Sequence, residues 1–148
     1  MDKKQPEIIL FKPDFKDMRS LPLAEEIMAG FPSPADDYML ESLNLKDLIK
    51  HPEATFYGRV VGDSMIEAGI CEGDIIVIDR AVEAEDSDVI VAWVNDGFTL
   101  KFLDRSHKRE GYIELRPANR NFPTIRVEVG DNFLVWGVVI WSIKRWRH

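Results

Sequence analysis

The stretch that decides the fold is VIVAWVNDGFTLKFL, residues 89–103. Its first part, Val89–Val94, is apolar at every position, which is typical of a strand that is buried on both faces of a sheet. Asn95-Asp96-Gly97 then gives a strong turn signal, and Phe98–Leu103 predicts the returning strand of a hairpin. The sequence therefore predicts two antiparallel neighbours within a β-rich core.

The rest of the chain after Thr55 repeats this pattern of short apolar runs separated by Gly, Asn and Asp. We expect further strands at Phe56–Val61, Asp74–Ile78, Tyr112–Arg116, Ile125–Val129 and Phe133–Ile143. Together they predict a mainly β fold whose core is curled or barrel-like. The apolar run 133–141 suits either a core strand or an interface with a second copy.

The N-terminal region has a different composition. Residues 1–34 hold five of the eight prolines, and proline interrupts both helices and sheet ladders. We expect a flexible tail over residues 1–34 and a folded domain over residues 35–148. Within this region Ser20–Met28 predicts one or two helical turns, and the apolar spacing of residues 36–49 predicts a short helix or two.

Charge and cysteine content exclude several classes of protein. The chain has 148 residues, one cysteine and a net charge of −7, and residues 31–100 carry 15 acidic and 4 basic side chains. Since duplex binding depends on Lys and Arg neutralising phosphates, direct sequence-specific DNA binding is disfavoured. A single cysteine excludes an intrachain disulfide. No apolar run has the length of a membrane span or a signal peptide, so we expect a cytoplasmic protein without membrane contact.

Metal and cofactor chemistry find little support. His51, His107 and His148 lie far apart, and none belongs to a cluster with metal-ligand spacing. A Ser-His-Asp triad would have to use the same three histidines. The glycines match neither dinucleotide-binding nor phosphate-binding loops. We expect no metal and no cofactor.

Two polar residues stand out. Ser64 follows the predicted strand Phe56–Val61, where a hydroxyl can stand at the edge of a sheet, although Asp-Ser is also an ordinary turn pair. Lys101 lies within an otherwise apolar strand, and burial disfavours the charged form of a lysine. A neutral lysine amine can act as general base toward a serine hydroxyl. The plainer interpretation of Lys101 is a side chain that reaches water from an edge strand.

Read together, these segments resemble a known family. The segments are Val61-Gly62-Asp63-Ser64-Met65, Gly69-Ile70, Gly73-Asp74, Lys101 after its hairpin turn, Leu115–Asn119 and Val135–Val139. They resemble the LexA/UmuD family of self-cleaving serine proteases, the S24 type, over roughly residues 30–145. The resemblance implies a curled β-sheet protease core in which Ser64 is the nucleophile and Lys101 the general base. It further implies that the backbone N–H groups of Asp63 and Ser64 stabilise the oxyanion.

The segment GFPSPADDY, which begins at residue 30, resembles the UmuD branch of this family. In that branch the bond that is cut precedes a glycine that opens such a segment, so the resemblance places cleavage between Ala29 and Gly30. Both residues are small, which suits an extended backbone in a narrow cleft. Alone, Ala-Gly equally suits the end of a helix. No helix-turn-helix fits the proline-rich region before it.

The resemblance also implies partners. It implies a homodimer whose self-cleavage is stimulated by the RecA filament on single-stranded DNA, acting as co-protease in the DNA-damage (SOS) response. The shortened product would then join a UmuC-type polymerase subunit in error-prone translesion synthesis. Whether the tail is cut in cis or in trans stays open.

Three other interpretations remain. A non-proteolytic docking module of a DNA polymerase complex predicts that Lys101 stays charged and that the tail stays intact. A LexA-like repressor fragment is disfavoured by the net charge of −7. A type I signal peptidase shares the Ser-Lys chemistry but requires a membrane span.

Overall fold

The structure is a computed structural model that describes residues 7–13, 21–23 and 41–147, with side chains described for residues 7–13 and 44–147. The chain divides into two units. One comprises Met1–Pro13 with Ala54–His148, and the other comprises Asp14–Glu53. Residues 7–13 of the predicted tail are therefore part of the unit that contains the C-terminal half of the chain.

Ten strands are described, and most of them belong to the larger unit. They are β1 (Ile8–Phe11), β2 (Leu21–Leu23), β3 (Glu41–Leu43), β4 (Thr55–Val60), β5 (Ile75–Asp79), β6 (Val89–Val94), β7 (Gly97–Asp104), β8 (Tyr112–Arg116), β9 (Ile125–Glu128) and β10 (Phe133–Ile143). The seven strands predicted from the sequence are all present, with every end within one residue of its predicted position. The prediction of a mainly β fold is confirmed.

Eight of these strands form one antiparallel sheet in the order β1-β4-β5-β10-β6-β7-β8-β9. The long apolar strand β10 lies inside the sheet, paired with β5 on one side and with β6 on the other. The β6–β7 hairpin closes through Asn95 and Asp96, which both have positive φ, as a tight two-residue turn requires.

Strand β6 is covered on both faces, as its composition predicts. Val91 packs in one apolar cluster with residues such as Met65, Ile76 and Leu100. Ile90, Ala92 and Val94 point the other way, into a second cluster that contains Leu103, Leu115 and Val127. Because side chains alternate along a strand, one strand contributes to both clusters and ties the two halves of the core together.

The sheet is curled, so strands that are distant in its order come into contact. Five inter-strand steps separate β1 from β7, which would span about 24 Å in a flat sheet at roughly 4.8 Å per step. Ile8 of β1 and Leu100 of β7 nevertheless belong to the same buried cluster. The curl therefore closes one end of the sheet over the region that holds Ser64 and Lys101.

The smaller unit corrects part of the helices predicted near the N-terminus and retains a short one at Leu45–Leu48, whereas residues 20, 24–28 and 36–40 of these predictions lie outside the described residues. Leu21–Leu23, within the predicted helical turns, is a strand that pairs with Glu41–Leu43. The stretch 36–49 contains that second strand and a 3-10 helix, Leu45–Leu48, in which the Asn44 side chain accepts from Lys46 N. Strand pairing has overridden local apolar spacing here. Among the described residues, no helix is long and apolar enough to cross a membrane.

Substitution of Gly137 tests the close packing between β10 and β5. A Cβ at this position would lie 2.5 Å from Ile78 Cγ2, on a side chain that is fully buried. We expect Gly137→Ala to lower the free energy of unfolding by about 1–3 kcal/mol, because the core must shift to accept the extra methyl group. Urea unfolding followed by tryptophan fluorescence measures the change.

Gly97→Ala is the matched control, since nothing lies within 4 Å of a Cβ added there. We expect that variant to differ from the wild type by less than about 0.5 kcal/mol. Equal stabilities of the two variants would contradict the packing described for Gly137.

Candidate active site

Ser64 lies in the turn that leaves β4. Gly62 has φ +85°, in the left-handed region that favours glycine, and it lets the chain turn directly after the strand. Residues Ile66–Ala68 then form a 3-10 helix. Met65 is 1% exposed and packs in the core, so it anchors the backbone of its neighbour Ser64.

The segment after β8 forms hydrogen bonds with the turn that contains Ser64. Ala118 N donates to the Ser64 carbonyl at 2.9 Å, and the Ala118 carbonyl accepts from Glu67 N at 2.7 Å. The Asn119 side chain donates to the Asp63 carbonyl at 2.9 Å. These bonds fix the backbone on both sides of Ser64. The sequence reasoning noted residues 115–119 only as part of a resemblance and missed this positioning role.

Lys101 is presented by β7 and is almost completely buried, with 2% of its surface exposed. Its Nζ lies 3.4 Å from Ser64 Oγ. It also donates to Thr99 Oγ1 at 2.8 Å and to the Leu100 carbonyl at 3.1 Å. The fold thus brings together the two residues singled out from the sequence. A lysine that reaches water from an edge strand is excluded by this burial.

A carboxylate from the N-terminal end of the chain reaches the same place. The Glu7 oxygens Oε1 and Oε2 lie 3.1 and 3.0 Å from Lys101 Nζ. Oε2 also accepts from Thr99 Oγ1 at 2.6 Å and from Leu100 N at 3.0 Å. The Glu7 side chain is 29% exposed and that of Lys101 only 3%. The carboxylate therefore compensates a charge that has almost no access to water.

Sequence reasoning missed Glu7 and Thr99. The apolar run Ile8–Phe11 is a local signal for a strand, but it gives no indication that the strand packs near Lys101. The partners Glu7 and Lys101 are separated by 94 positions, and no local pattern identifies such a pair.

The predicted oxyanion donors lie in the turn itself. Within the described part of the chain, the N–H groups of Asp63 and Ser64 donate to no other protein acceptor. Neighbouring backbone N–H groups of this kind are typical donors of an oxyanion hole. The predicted cleavage site, Ala29 and Gly30, lies outside the described residues.

Comparison with known proteins decides the family. The family model described as Peptidase S24-like matches residues 22–140. The chain belongs to the S24 peptidase family. Protein MucA of Salmonella typhimurium is 36% identical over 121 residues, which cover 80% of each chain. Protein SamA of Salmonella typhimurium strain LT2 is 37% identical over 143 residues, which cover 95% of this chain and 97% of SamA.

The resemblance to the LexA/UmuD group predicted from the sequence is confirmed at this level. The LexA repressor of Syntrophotalea carbinolica is 37% identical over 133 residues, which cover 86% of this S24 chain and 61% of the repressor. Membership of the S24 family supports a self-cleaving serine peptidase.

A second polar cluster is formed by β7, β8 and the segment that connects them in the S24 core. Asp104, His107 and Glu114 present ligand atoms within 4.8 Å of one another. Arg116 Nε donates to Asp104 Oδ2 at 2.6 Å, and His107 Nε2 lies 3.2 Å from Glu114 Oε1. Because a guanidinium and an imidazole already contact these carboxylates, the cluster is explained by the ion pair of Arg116 with Asp104 and the contact of His107 with Glu114. The spacing of the histidines in the sequence gave no sign of it.

Asp104 makes this cluster sensitive to acid. Hydrogen bonds from the side chain and backbone of Ser106, with a smaller contribution from Arg116, lower the pKa of Asp104 from 3.8 to about 2. Because the folded-state pKa is the lower one, the stabilisation is complete above about pH 5 and is lost as the pH falls towards 2. We expect Asp104→Asn to lower the Tm at pH 7 by a few degrees and to have little effect at pH 2.

Calorimetry across this pH range measures the difference. Asp96→Asn, in the exposed β6–β7 turn, is the control and should leave the Tm unchanged at both pH values. A Tm difference for Asp104→Asn that did not shrink with acid would contradict the assignment.

Proposed function

We propose that the chain is a self-cleaving serine endopeptidase in which Ser64 is the nucleophile and Lys101 the general base. The observation that carries this proposal is the 3.4 Å approach of Lys101 Nζ to Ser64 Oγ in a buried site. A nucleophile and its base are expected within hydrogen-bond reach of each other, often at a somewhat longer distance in the resting state. Membership of the S24 family supports the same chemistry.

The reaction requires Lys101 as a neutral amine. Its lone pair takes the proton from Ser64 Oγ, which attacks the carbonyl carbon of Ala29 and forms a tetrahedral intermediate. The N–H groups of Asp63 and Ser64 hydrogen-bond the oxyanion. As the C–N bond to Gly30 breaks, the Lys101 ammonium returns the proton to the leaving nitrogen. A water molecule, deprotonated by Lys101 in its turn, hydrolyses the ester on Ser64 and restores both side chains.

We further propose that residues 1–34 form the tail that contains the cleavage site and that residues 35–148 form the protease and dimerisation domain of a homodimer. The small residues Ala29 and Gly30 suit an extended backbone in a narrow cleft. Ser64 and Lys101 both follow residue 34 in the chain, which supports this division of roles.

We propose a UmuD-like role for the chain in the SOS response to DNA damage, within the cytoplasm. The relatives MucA and SamA, matched over most of their length, support this role. In this proposal the RecA filament on single-stranded DNA stimulates cleavage, and the processed form acts with a UmuC-type subunit in translesion synthesis. The acidic excess of residues 31–100 suits a protein that reaches DNA through partners rather than by direct binding.

One observation favours a second candidate. A non-proteolytic docking module predicts a charged Lys101, and the carboxylate of Glu7 lies where it stabilises that charge. The two candidates differ in whether Lys101 ever becomes a base, which cleavage experiments decide.

Substitution of either member of the pair tests the mechanism. We expect Ser64→Ala to stop self-cleavage, because the nucleophile is lost, and Lys101→Met to do the same, because no other side chain takes the serine proton. The loss should be at least about a thousandfold. Intact-mass measurement over a time course follows the appearance of a fragment that begins at Gly30.

Ser142→Ala and Lys108→Met are the matched controls, since both residues are exposed. We expect the controls to be cut at the wild-type rate. Normal processing of Ser64→Ala or Lys101→Met would overturn the proposed dyad.

The pH dependence provides a separate test. We expect the cleavage rate to rise from pH 7 to pH 10 by up to about tenfold per unit, because alkali increases the neutral fraction of lysine. At pH 7, addition of RecA, an ATP analogue and single-stranded DNA should raise the rate as well. A chain that stays intact under both conditions would support the docking module instead.

A further inference from the structure

The N-terminal strand places a negative charge inside the site that the proposed reaction uses. Glu7 stands directly before β1, and its carboxylate accepts hydrogen bonds from the Lys101 ammonium, the Thr99 hydroxyl and the Leu100 backbone N–H. We propose that Glu7 is a built-in inhibitor of the Ser64/Lys101 pair and that β1 must leave the sheet before Lys101 can act as a base. This inference rests on the proposed function and adds its regulation.

The nearest hydrogen-bond acceptors of the Lys101 ammonium are not on Ser64. Four oxygens lie within 3.1 Å of Nζ, namely both Glu7 oxygens, Thr99 Oγ1 and the Leu100 carbonyl oxygen. Ser64 Oγ is farther away, at 3.4 Å. An ammonium donates three protons, and the nearer acceptors can take all of them. Since an ammonium has no lone pair, Lys101 cannot accept the Ser64 proton while Glu7 holds it in this form.

The hydrogen-bond partners of Lys101 differ in charge. Its hydrogen-bond partners in the described part of the chain come from the Ser64 turn, from β7 and from Glu7, and Glu7 alone among them carries a charge. Ile90 stands opposite Lys101 on the neighbouring strand β6. In the described part of the chain, this one carboxylate therefore supplies the charge that compensates the buried ammonium.

Glu7 also contacts the outer edge of β7. Strand β8 pairs with β7 only at Phe102–Asp104, and among the described residues no strand pairs with the outer edge of Gly97–Lys101. On that edge the Leu100 N–H donates to Glu7 at 3.0 Å. An extended peptide that docks on a sheet edge uses such backbone donors. Glu7 thus occupies a donor next to Lys101 that a bound substrate would use.

Strand β1 is held weakly enough to be displaced. It has four residues, lies at the end of the sheet and, among the strands that the structure describes, pairs only with β4. Ile8 is buried, but Ile9 and Phe11 are 48% and 39% exposed. Short edge strands with few buried side chains are among the least stable parts of a fold. Release of β1 removes Ile8 from its buried cluster, while the other seven buried members of that cluster lie outside β1.

The test compares self-cleavage of the wild-type chain at pH 7, without RecA, with that of three variants. Glu7→Gln removes the charge, deletion of residues 1–7 removes the side chain, and Ile8→Ala keeps Glu7 but weakens the packing of β1. We expect the first two to be cut at least about tenfold faster than the wild type, and Ile8→Ala at an intermediate rate. The matched control is Glu128→Gln, an exposed carboxylate paired with Arg126, which should match the wild type.

A second measurement follows the lysine directly. In a Ser64→Ala background, NMR of the Lys101 side chain at pH 7 reports the contact between its Nζ and Glu7. We expect Glu7→Gln to change the Lys101 side-chain signals and Glu128→Gln to leave them in place.

The outcomes separate the inhibitor from the protease. Lys101 signals that are unchanged in Glu7→Gln overturn the inhibitory role of Glu7. A Glu7→Gln variant that is cut no faster than the wild type at pH 7, while both are cut at pH 10, overturns it as well and leaves the protease standing. If no variant is cut even at pH 10 and with RecA, the proposed protease fails, and its inhibitor with it.

Discussion

The burial of Lys101 is the constraint on which the arrangement of this site depends. An ammonium that leaves water loses several kcal/mol of hydration unless other groups replace it, so a lysine that is 2% exposed must either be neutral or be surrounded by acceptors. Two acceptors, Thr99 Oγ1 and the Leu100 carbonyl, come from the same strand and are always present. The charged acceptor, Glu7, comes from a separate edge strand. The compensation of the lysine charge is thereby linked to the docking of that strand.

The curl of the sheet makes this link possible. Ser64 stands after β4, Lys101 on β7 and Glu7 before β1, and these strands are not neighbours of one another except for β1 and β4. They meet because the apolar side chains of Ile8, Met65 and Leu100 share one buried cluster. The packing of this cluster therefore also brings the polar groups of the site together. A loss of packing at Met65 or Leu100 disturbs the positions of Ser64 and Lys101, whereas a loss of packing at Ile8 loosens the strand that carries Glu7.

The sequence predicted the parts of this molecule that depend on local patterns. Alternation and turn residues identified the hairpin of β6 and β7 and the other strands after Thr55. The resemblance to a known family identified Ser64 and Lys101, which the fold brings together. Residues 21–23 were wrongly expected in a helical turn, because pairing with residues 41–43 is a non-local interaction. Glu7 was missed for the same reason, since it reaches a lysine 94 positions away. The support of the Ser64 turn by Ala118 and Asn119 likewise has no local signature.

Because of the position of Glu7 along the chain, its contact with Lys101 differs before and after the proposed cleavage. Glu7 lies on the N-terminal side of the Ala29–Gly30 bond, whereas Ser64 and Lys101 lie on the other side. While the chain is intact, the covalent connection keeps the carboxylate at a high effective concentration near the lysine. Once that bond is cut, the same contact becomes a bimolecular association of a short peptide with a protein. At cellular concentrations such a peptide diffuses away. The proposed cleavage therefore removes Glu7 from Lys101 irreversibly.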